Sequence, residues 1–270
     1  RHLPGKQVVL LKNQNNLHTV NICGDEPFML FCDTGVPIAV SSDRITAIEY
    51  LLNKINPEVI ISDDGYQNFS FFKDVNVLVI NLYEMKDKLF LFPAGVLREP
   101  LNMAVTRADY VILNHSPLVP SVFLLKMKDK IRKVNPAAKI ICSYYKIQGF
   151  TNLYSGQVLQ PREFLVFHNK VIVCCGIAHP ETFVKTLELE GIEIKQKFFY
   201  TDHYWYKPQD IKRWYKKEIL PVVVTQKDAV KLAPMLNLIE SVYIKQIYSC
   251  QISFEIYEGE EEWESLLNYP

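Results

Sequence analysis

Apolar positions recur along this chain in two patterns. Short runs rich in β-branched residues alternate with longer stretches in which apolar residues fall three or four apart. The runs at 8–11, 37–41, 59–62, 75–81, 110–113, 139–143, 170–175 and 222–225 read as strands. Asp43 precedes Ile45, Ile48, Leu51 and Leu52, which predicts a capped helix reaching about Asn53. A basic amphipathic helix is predicted over 122–134. Another runs over 181–190, with Pro180 at its first position and Gly191 as its stop. Thr225 is placed to cap a helix starting over 228–232. Continuous apolar strands separated by helices imply a mostly parallel sheet covered on both faces, the α/β class. The stretch 147–167 breaks the pattern with Gly149, Gly156 and Pro161, and reads as a hairpin or linker. The chain then divides into a larger lobe over 1–149, a linker over 150–167 and a smaller α/β lobe over 168–270, with a site in the cleft between the lobes.

Composition narrows the function classes. The 270 residues suffice for one large or two small domains, and 49% hydrophobic with 22% charged residues fits a globular chain. Thirty basic residues balance thirty acidic ones, so the field expected of a nucleic-acid binder is missing. The longest apolar runs, such as 171–175, fall far short of the roughly 20 residues of a membrane span, and no signal-peptide pattern is visible. The six cysteines show no CxxC spacing, which argues against a zinc ribbon or a thioredoxin-type motif. Those within apolar runs read as buried small hydrophobes in a reducing compartment. The first residue is Arg1, which reads as the start of a fragment.

Candidate chemistry lies in a handful of short motifs. In 59–65 an apolar run leads into Asp63-Asp64-Gly65, which would present two carboxylates at the carboxyl end of a strand, where α/β folds bind ligands and where phosphoryl-transfer enzymes hold Mg²⁺. An Asp–Gly turn with solvated acids explains the same residues equally well. Gly24-Asp25-Glu26-Pro27 reads as a fixed turn, with Glu26 held extended by Pro27, and offers a candidate general base or merely a polar turn. In the proline-bounded loop 93–100, Arg98 could clamp a phosphate while Glu99 holds Arg98 or accepts a sugar hydroxyl; a surface ion pair is the plain alternative. Asp202-His203 sits among Phe198, Phe199, Tyr200, Tyr204, Trp205 and Tyr206, either a tuned imidazole beside an apolar substrate wall or a satisfied histidine among core aromatics. The other histidines (2, 18, 115, 168 and 179) lack metal-ligand spacing. The acidic run 258–264 reads as a solvated helix face. No GxSxG, GxGxxG or GxxxxGK[ST] motif occurs.

The order of these motifs is more specific than any one of them. GDEP at 24–27, PIAVSSDR at 37–44, ISDDGYQN at 61–68, FPAGVLREP at 92–100, ADYVILN at 108–114, GIAHPETF at 176–183, DHYWY at 202–206 and TQKDAVKL at 225–232 resemble the tetraacyldisaccharide 4′-kinase family of lipid A biosynthesis over about residues 1–235. The resemblance implies a P-loop-kinase-like fold. It also implies transfer of the ATP γ-phosphate to the 4′-hydroxyl of a tetraacylated glucosamine disaccharide 1-phosphate, giving lipid IVA, with ATP and Mg²⁺ as cofactors. It makes Asp25 the catalytic base and His203 its partner, reached from the second lobe so that the pair assembles on closure. Asp63 and Asp64 become Mg²⁺ ligands with Glu26 nearby, and Arg44, Gln67, Asn68, Arg98 and Glu99 line the lipid and phosphate site. The implied partners are the glycolipid and the inner-membrane surface, on its cytoplasmic face, with no obligate protein partner.

Three departures bear on that reading. The family's N-terminal hydrophobic helix and Gly-rich P-loop are not in the sequence, which leaves the β- and γ-phosphates without their usual cradle. The family's DGLQH is Asp64-Gly65-Tyr66-Gln67-Asn68 here, and its glycine-containing stretch before the PAG motif is replaced by 84–88. The competing functional reading is therefore an inactive pseudokinase fragment that retains only glycolipid binding. A generic metal-dependent α/β hydrolase rests on the paired acids alone. The basic helix carrying Lys126, Lys128, Lys130, Arg132 and Lys133 is either a contact for an anionic bilayer or an ordinary surface helix.

Overall fold

The computed structural model describes residues 7–12, 20–86, 90–238 and 240–269. Gly5-Lys6, His2, His18, the polar stretch 13–16 and residues 87–88 lie outside the described residues. In chain order the first elements are β1 (Val9–Leu11), α1 (Val20–Cys23), α2 (Asp25–Thr34), β2 (Ile38–Val40), α3 (Arg44–Lys54), β3 (Val77–Asn81) and α4 (Leu82–Met85). Next come α5 (Leu101–Thr106), β4 (Tyr110–Asn114), α6 (Ser121–Val134), β5 (Lys139–Asn152), β6 (Val158–Leu159), α7 (Pro161–Phe167) and β7 (Lys170–Cys175). The remainder are α8 (Pro180–Leu189), β8 (Glu193–Phe199), α9 (Pro208–Trp214), β9 (Val222–Thr225), α10 (Gln226–Leu232), α11 (Ser241–Ile244), β10 (Ile247–Glu258) and α12 (Glu260–Leu267). The class is α/β, as the apolar pattern predicts.

Two compact units result, one made of 1–61 with 147–252 and the other of 62–146 with 253–270. The reading from sequence divided the chain consecutively; these units interleave it. Both β5 and β10 pass from one unit to the other along their length.

In the first unit the strand order is β5–β10–β9–β7–β8, with β9 parallel to β10 and β7, and β7 parallel to β8. Successive residues of a strand point to opposite faces, and both faces are covered here. Ile172, Cys174, Val222 and Val224 pack with Ile211, Trp214 and Leu232. Val171, Val173 and Val223 pack with Phe150, Phe164, Val184 and Leu187 on the other side. Each such side chain, fully withdrawn from water, contributes about 1.5–3 kcal/mol. The same unit holds an antiparallel pair, β1 with β2, whose Leu11 packs with Cys23 and Phe31 of the first two helices.

In the second unit β3, β4 and β5 pair in parallel. Leu78, Ile80, Val111, Leu113 and Cys142 face Leu101, Val105, Leu124, Met127 and Ile131 of α5 and α6. Tyr110, Ile112 and Ile141 face Ile256, Trp263 and Leu266.

Several predicted elements differ. The run 59–62 is not a strand: no described residue supplies a hydrogen-bond ladder, and Val59 and Ile61 are 71% and 90% exposed. The stretch 147–167 is partly the predicted hairpin, since β6 returns antiparallel on the end of β5, but it also contains helix α7 with Pro161 at its start. The acidic run is split: Glu258 ends β10 and pairs with Lys128, and the solvated helix α12 begins only at Glu260. Lys128 is buried by that pairing while Leu124, Met127 and Ile131 of α6 enter the core. Strands β8 and β10 and helix α9 were not anticipated. Four of the seven positions in β8 are charged or amide residues, which hides a strand whose exposure alternates residue by residue. Of the six cysteines five are buried and Cys32 is exposed, all as free thiols.

Candidate functional site

The first unit gathers a charged cluster around Asp25. Gly24 caps α2 with φ at 99°, a conformation glycine adopts without strain, and Asp25 and Glu26 follow as the first helical residues. The predicted extended turn is therefore a helix start. Pro27 is tolerated there because the first-turn N–H groups have no partner within the helix, and that overrides its bias on Glu26. Asp25 is buried, and its Oδ1 accepts a 2.8 Å hydrogen bond from His203 Nδ1. Its Oδ2 is also buried, yet no donor among the described residues reaches it within hydrogen-bond distance. Two ammonium groups stand just beyond, Lys231 at 3.6 Å and Lys227 at 3.9 Å.

Helix α10, which packs against α2, supplies both lysines. Thr225 caps it, as predicted, by accepting from the Asp228 N–H. A spacing of four residues then puts Lys227 and Lys231 on one face. Lys227 Nζ donates to Glu26 Oε1 at 2.7 Å and to Asp202 Oδ1 at 2.9 Å. Lys231 is fully buried and pairs with Asp228 at 2.9 Å. Asp228 in turn accepts from the Gly176 N–H, Thr225 Oγ1 and Tyr206 O–H. A Cβ added to Gly176 would come within 3.4 Å of both the Asp228 carboxylate and Tyr204.

The electrostatics follow from this geometry. Burial alone would raise the Asp25 carboxyl, but the His203 hydrogen bond and the charges of Lys227, His203 and Lys231 together hold it below the ordinary aspartate value. Asp202 behaves alike, with its burial outweighed chiefly by Lys227. Burial works against the Lys227 ammonium, yet Glu26 and Asp202 raise it above the ordinary lysine value. Asp25 is thus held in its ionised form, with one oxygen hydrogen bonded and the other buried without a hydrogen-bond donor among the described residues.

His203 and Asp25 lie in the same unit and are already hydrogen bonded, where the sequence reading drew them from separate lobes that meet on closure. The aromatics around His203 are mainly core: Tyr200, Tyr204, Tyr206 and Trp214 contact one another ring to ring, and Tyr206 and Trp214 are buried. Arg44 is the first residue of α3 in this unit, half-buried, behind its cap Asp43.

The second unit carries the remaining predicted residues. Asp63 and Asp64 are exposed in a turn in which Asp64 has a positive φ of 46°. A side chain at Gly65 would collide with Ser62, so the turn requires that glycine. Arg98 pairs with Asp64, donating to its two oxygens at 3.0 and 3.2 Å, rather than with its neighbour Glu99. Glu99 instead accepts from Arg107 at 2.8 and 2.9 Å and from Gln67 at 3.1 Å, and those Arg107 bonds lower its carboxyl. Asn68 spends its side-chain oxygen on Ser70. Among the described residues no three His, Cys, Asp or Glu side chains are grouped for a metal. Asp63 and Asp64 nevertheless offer the hard oxygen donors that suit Mg²⁺, which commonly takes one or two carboxylates and completes its shell with water and phosphate. Glu26 is engaged by Lys227.

Sequence reasoning missed Lys227, Lys231, Asp228 and Tyr206. The lysine spacing in Thr225-Gln226-Lys227-Asp228-Ala229-Val230-Lys231 was a usable signal, since two cations on one face of a seven-residue helix call for anions opposite.

Comparison with known proteins identifies the lineage. A family model described as tetraacyldisaccharide-1-P 4′-kinase matches residues 3–269. A tetraacyldisaccharide 4′-kinase from Halothermothrix orenii is 30% identical over 237 residues, covering 83% of this chain and 62% of that protein. One from Cytophaga hutchinsonii is 31% identical over 246 residues, covering 88% of this chain and 67% of that one. The chain thus spans about 60 to 67% of the length of such relatives. The crystal structure of LpxK from Aquifex aeolicus in complex with ATP superposes with a TM-score of 0.65 at 23% identity, covering 98% of this chain and 74% of that one, which shows a shared fold. The chain belongs to the tetraacyldisaccharide-1-phosphate 4′-kinase family.

Proposed function

We propose that the protein transfers the γ-phosphate of ATP to the 4′-hydroxyl of a tetraacylated glucosamine disaccharide 1-phosphate, with Asp25 as proton acceptor. The observation that carries this reading is the Asp25–His203 pair: Oδ1 is fixed by the imidazole while ionised Oδ2 has no hydrogen-bond donor among the described residues. A sugar hydroxyl reaching Oδ2 would donate its proton there as its oxygen attacks the γ-phosphorus and the bond to the β-phosphate oxygen breaks. His203 holds the carboxylate in orientation and stabilises its charge. Lys227 and Lys231 keep it ionised between turnovers.

Asp63 and Asp64 are proposed to hold Mg²⁺, which when bound neutralises phosphate charge. Glu26 would be available to an ion only by giving up Lys227. Arg44, Gln67, Asn68, Arg98 and Glu99 are proposed to contact the lipid headgroup and its phosphate. The exposed Arg98 guanidinium suits bidentate phosphate binding, with Asp64 as the partner it would release. No helix among the described residues is long and apolar enough to cross a membrane. The proposed place of action is the cytoplasmic face of the inner membrane, where ATP meets a lipid substrate.

The test is a phosphoryl-transfer assay on the full-length protein with labelled ATP, Mg²⁺ and the disaccharide lipid. Label on the 4′-position supports the proposal. Lipid binding without transfer would replace it with the glycolipid-binding role.

A further inference from the structure

Lys227 is occupied in a way that its proximity to Asp25 alone does not explain. Its side chain is nine-tenths buried, and its ammonium meets carboxylates from two other segments: Glu26 from the first turn of α2 and Asp202 from the turn between β8 and α9. Asp202 Oδ1 is shared, because it also accepts the backbone N–H of His203 at 3.0 Å. His203 itself has a φ of 59°, a left-handed conformation that a residue with a side chain adopts at a cost of order 1–3 kcal/mol. A turn strained in this way keeps its geometry only if neighbouring contacts over-determine it.

We propose that Lys227 is a positioning residue: by tying Asp202 to α10 and to Glu26 it fixes the His203 turn so that the imidazole lies on Asp25. The proposal rests on the reading of Asp25 and His203 as the proton-accepting pair. Without the ammonium, Asp202 and Glu26 become two carboxylates drawn to one point and repel each other. The turn then loses its tie to α10, relaxes from the left-handed conformation and carries the ring away. Asp25 is left with the Glu26 backbone N–H on Oδ1 and the Lys231 ammonium near Oδ2. Two of the three ammonium donors of Lys227 are committed to carboxylates of two separate segments, and positioning is the role those contacts support.

The experiment follows the His203 ring directly in full-length protein labelled with ¹⁵N, at a pH where the imidazole is neutral. Long-range ¹H–¹⁵N spectra report the tautomer, with His203 assigned by His203→Gln. Held by Asp25, the ring carries its proton on Nδ1; a released ring reverts to the Nε2–H form that free imidazole side chains prefer. Lys227→Met is expected to shift His203 to the Nε2–H form, and Lys227→Arg to restore the Nδ1–H form. In the kinase assay Lys227→Met should lower kcat about tenfold or more with the lipid KM within about twofold, the pattern of lost orientation. A folded Lys227→Met protein that keeps the Nδ1–H form overturns the proposal. If that variant does not fold, Asp202→Ala cuts the same tie at an exposed position and must give the same tautomer change; retention of Nδ1–H there also overturns it. The two readings separate cleanly. Tautomer loss in a protein without phosphoryl transfer sinks the kinase reading alone, and intact transfer with an unmoved ring sinks the positioning role alone.

Discussion

The two compact units carry their charges under opposite conditions. In the first, Asp25, Lys227, Lys231 and Asp228 are 5%, 8%, 1% and 0% exposed, and all but Oδ2 of Asp25 are locked into contacts. In the second, the side chains of Arg98 and Asp64 are 67% and 66% exposed and meet in water. A buried pair that loses one member leaves an uncompensated charge in a poor solvent for it, at a cost of about 3–5 kcal/mol, whereas an exposed pair is worth roughly 0–1 kcal/mol. The first cluster is therefore committed to the fold. The second is loosely held and can exchange partners for a ligand.

The largest effect should come from Asp25→Ala in the first cluster. Loss of the proposed proton acceptor is expected to lower kcat by about 10²- to 10⁴-fold while the lipid KM stays within a few-fold. Steady-state kinetics on the full-length protein check this. Equal loss in binding and rate would make Asp25 an organiser of the site and erase its distinction from the exposed residues of the second unit.

Lys231→Met comes next and acts on stability. It leaves Asp228, buried beyond reach of water, without its cation, and removes one of the two charges facing Asp25. A loss of about 3 kcal/mol or more in urea unfolding is expected. A change under about 1 kcal/mol would mean that Gly176, Thr225 and Tyr206 alone satisfy Asp228, and the contrast between buried and exposed pairs would fail at its strongest point.

Acid should distinguish the cluster more gently. Asp25 and Asp202 are held below the ordinary aspartate value of 3.8, so the unfolded chain takes up protons more readily than the folded one. Their contribution to stability is complete above 3.8 and is lost as the pH falls through their lower folded values. Lys227 is raised above 10.5, so its contribution is complete below that pH and is lost as the pH rises through its folded value. Urea midpoints measured from neutral pH to about pH 3 should fall on the acid side, and Asp202→Asn should flatten that fall. An unchanged acid limb in the variant would show that Asp202 does not couple to folding.

The sequence made the central strands and capped helices legible because their periodicity and end signals agree, as at Asp43, Thr225 and Pro180. It failed where burial is one-sided or a partner strand decides the outcome. Strand β8 alternates exposed Glu193, Lys195 and Lys197 with half-buried Ile194, Gln196 and Phe198, and the apolar run 59–62 has no ladder among the described residues to join. In the site, the pairing of Asp25 with His203 was legible only through the family resemblance. Lys227 and Lys231 were not legible, because a lysine in a helix is ordinarily solvated and only the packing of α10 on α2 turns these two inward. The alternative in which Glu99 holds Arg98 does not occur, for a related reason. Each finds its partner at a distance in sequence, Asp64 for Arg98 and Arg107 for Glu99, which only the packing of the chain brings close.

Arg98→Ala should have the smallest effect on stability and so tests the other half of the contrast. The guanidinium and its carboxylate partner are both mostly in water, so the pair contributes under about 1 kcal/mol, within which the unfolding midpoint should stay. If Arg98 meets the lipid phosphate as proposed, the same substitution should raise the lipid KM about tenfold or more, since a charge-assisted bidentate contact is worth about 1.5–3 kcal/mol. Arg98→Lys should recover the charge but not the fork, leaving part of the defect. Binding lost at unchanged stability would show that this exposed pair is held loosely for exchange with a ligand. Stability lost along with binding would mean that the turn around Asp64, with its positive φ and its obligatory Gly65, depends on Arg98 for its shape, and that the second unit is more like the first than its exposure suggests.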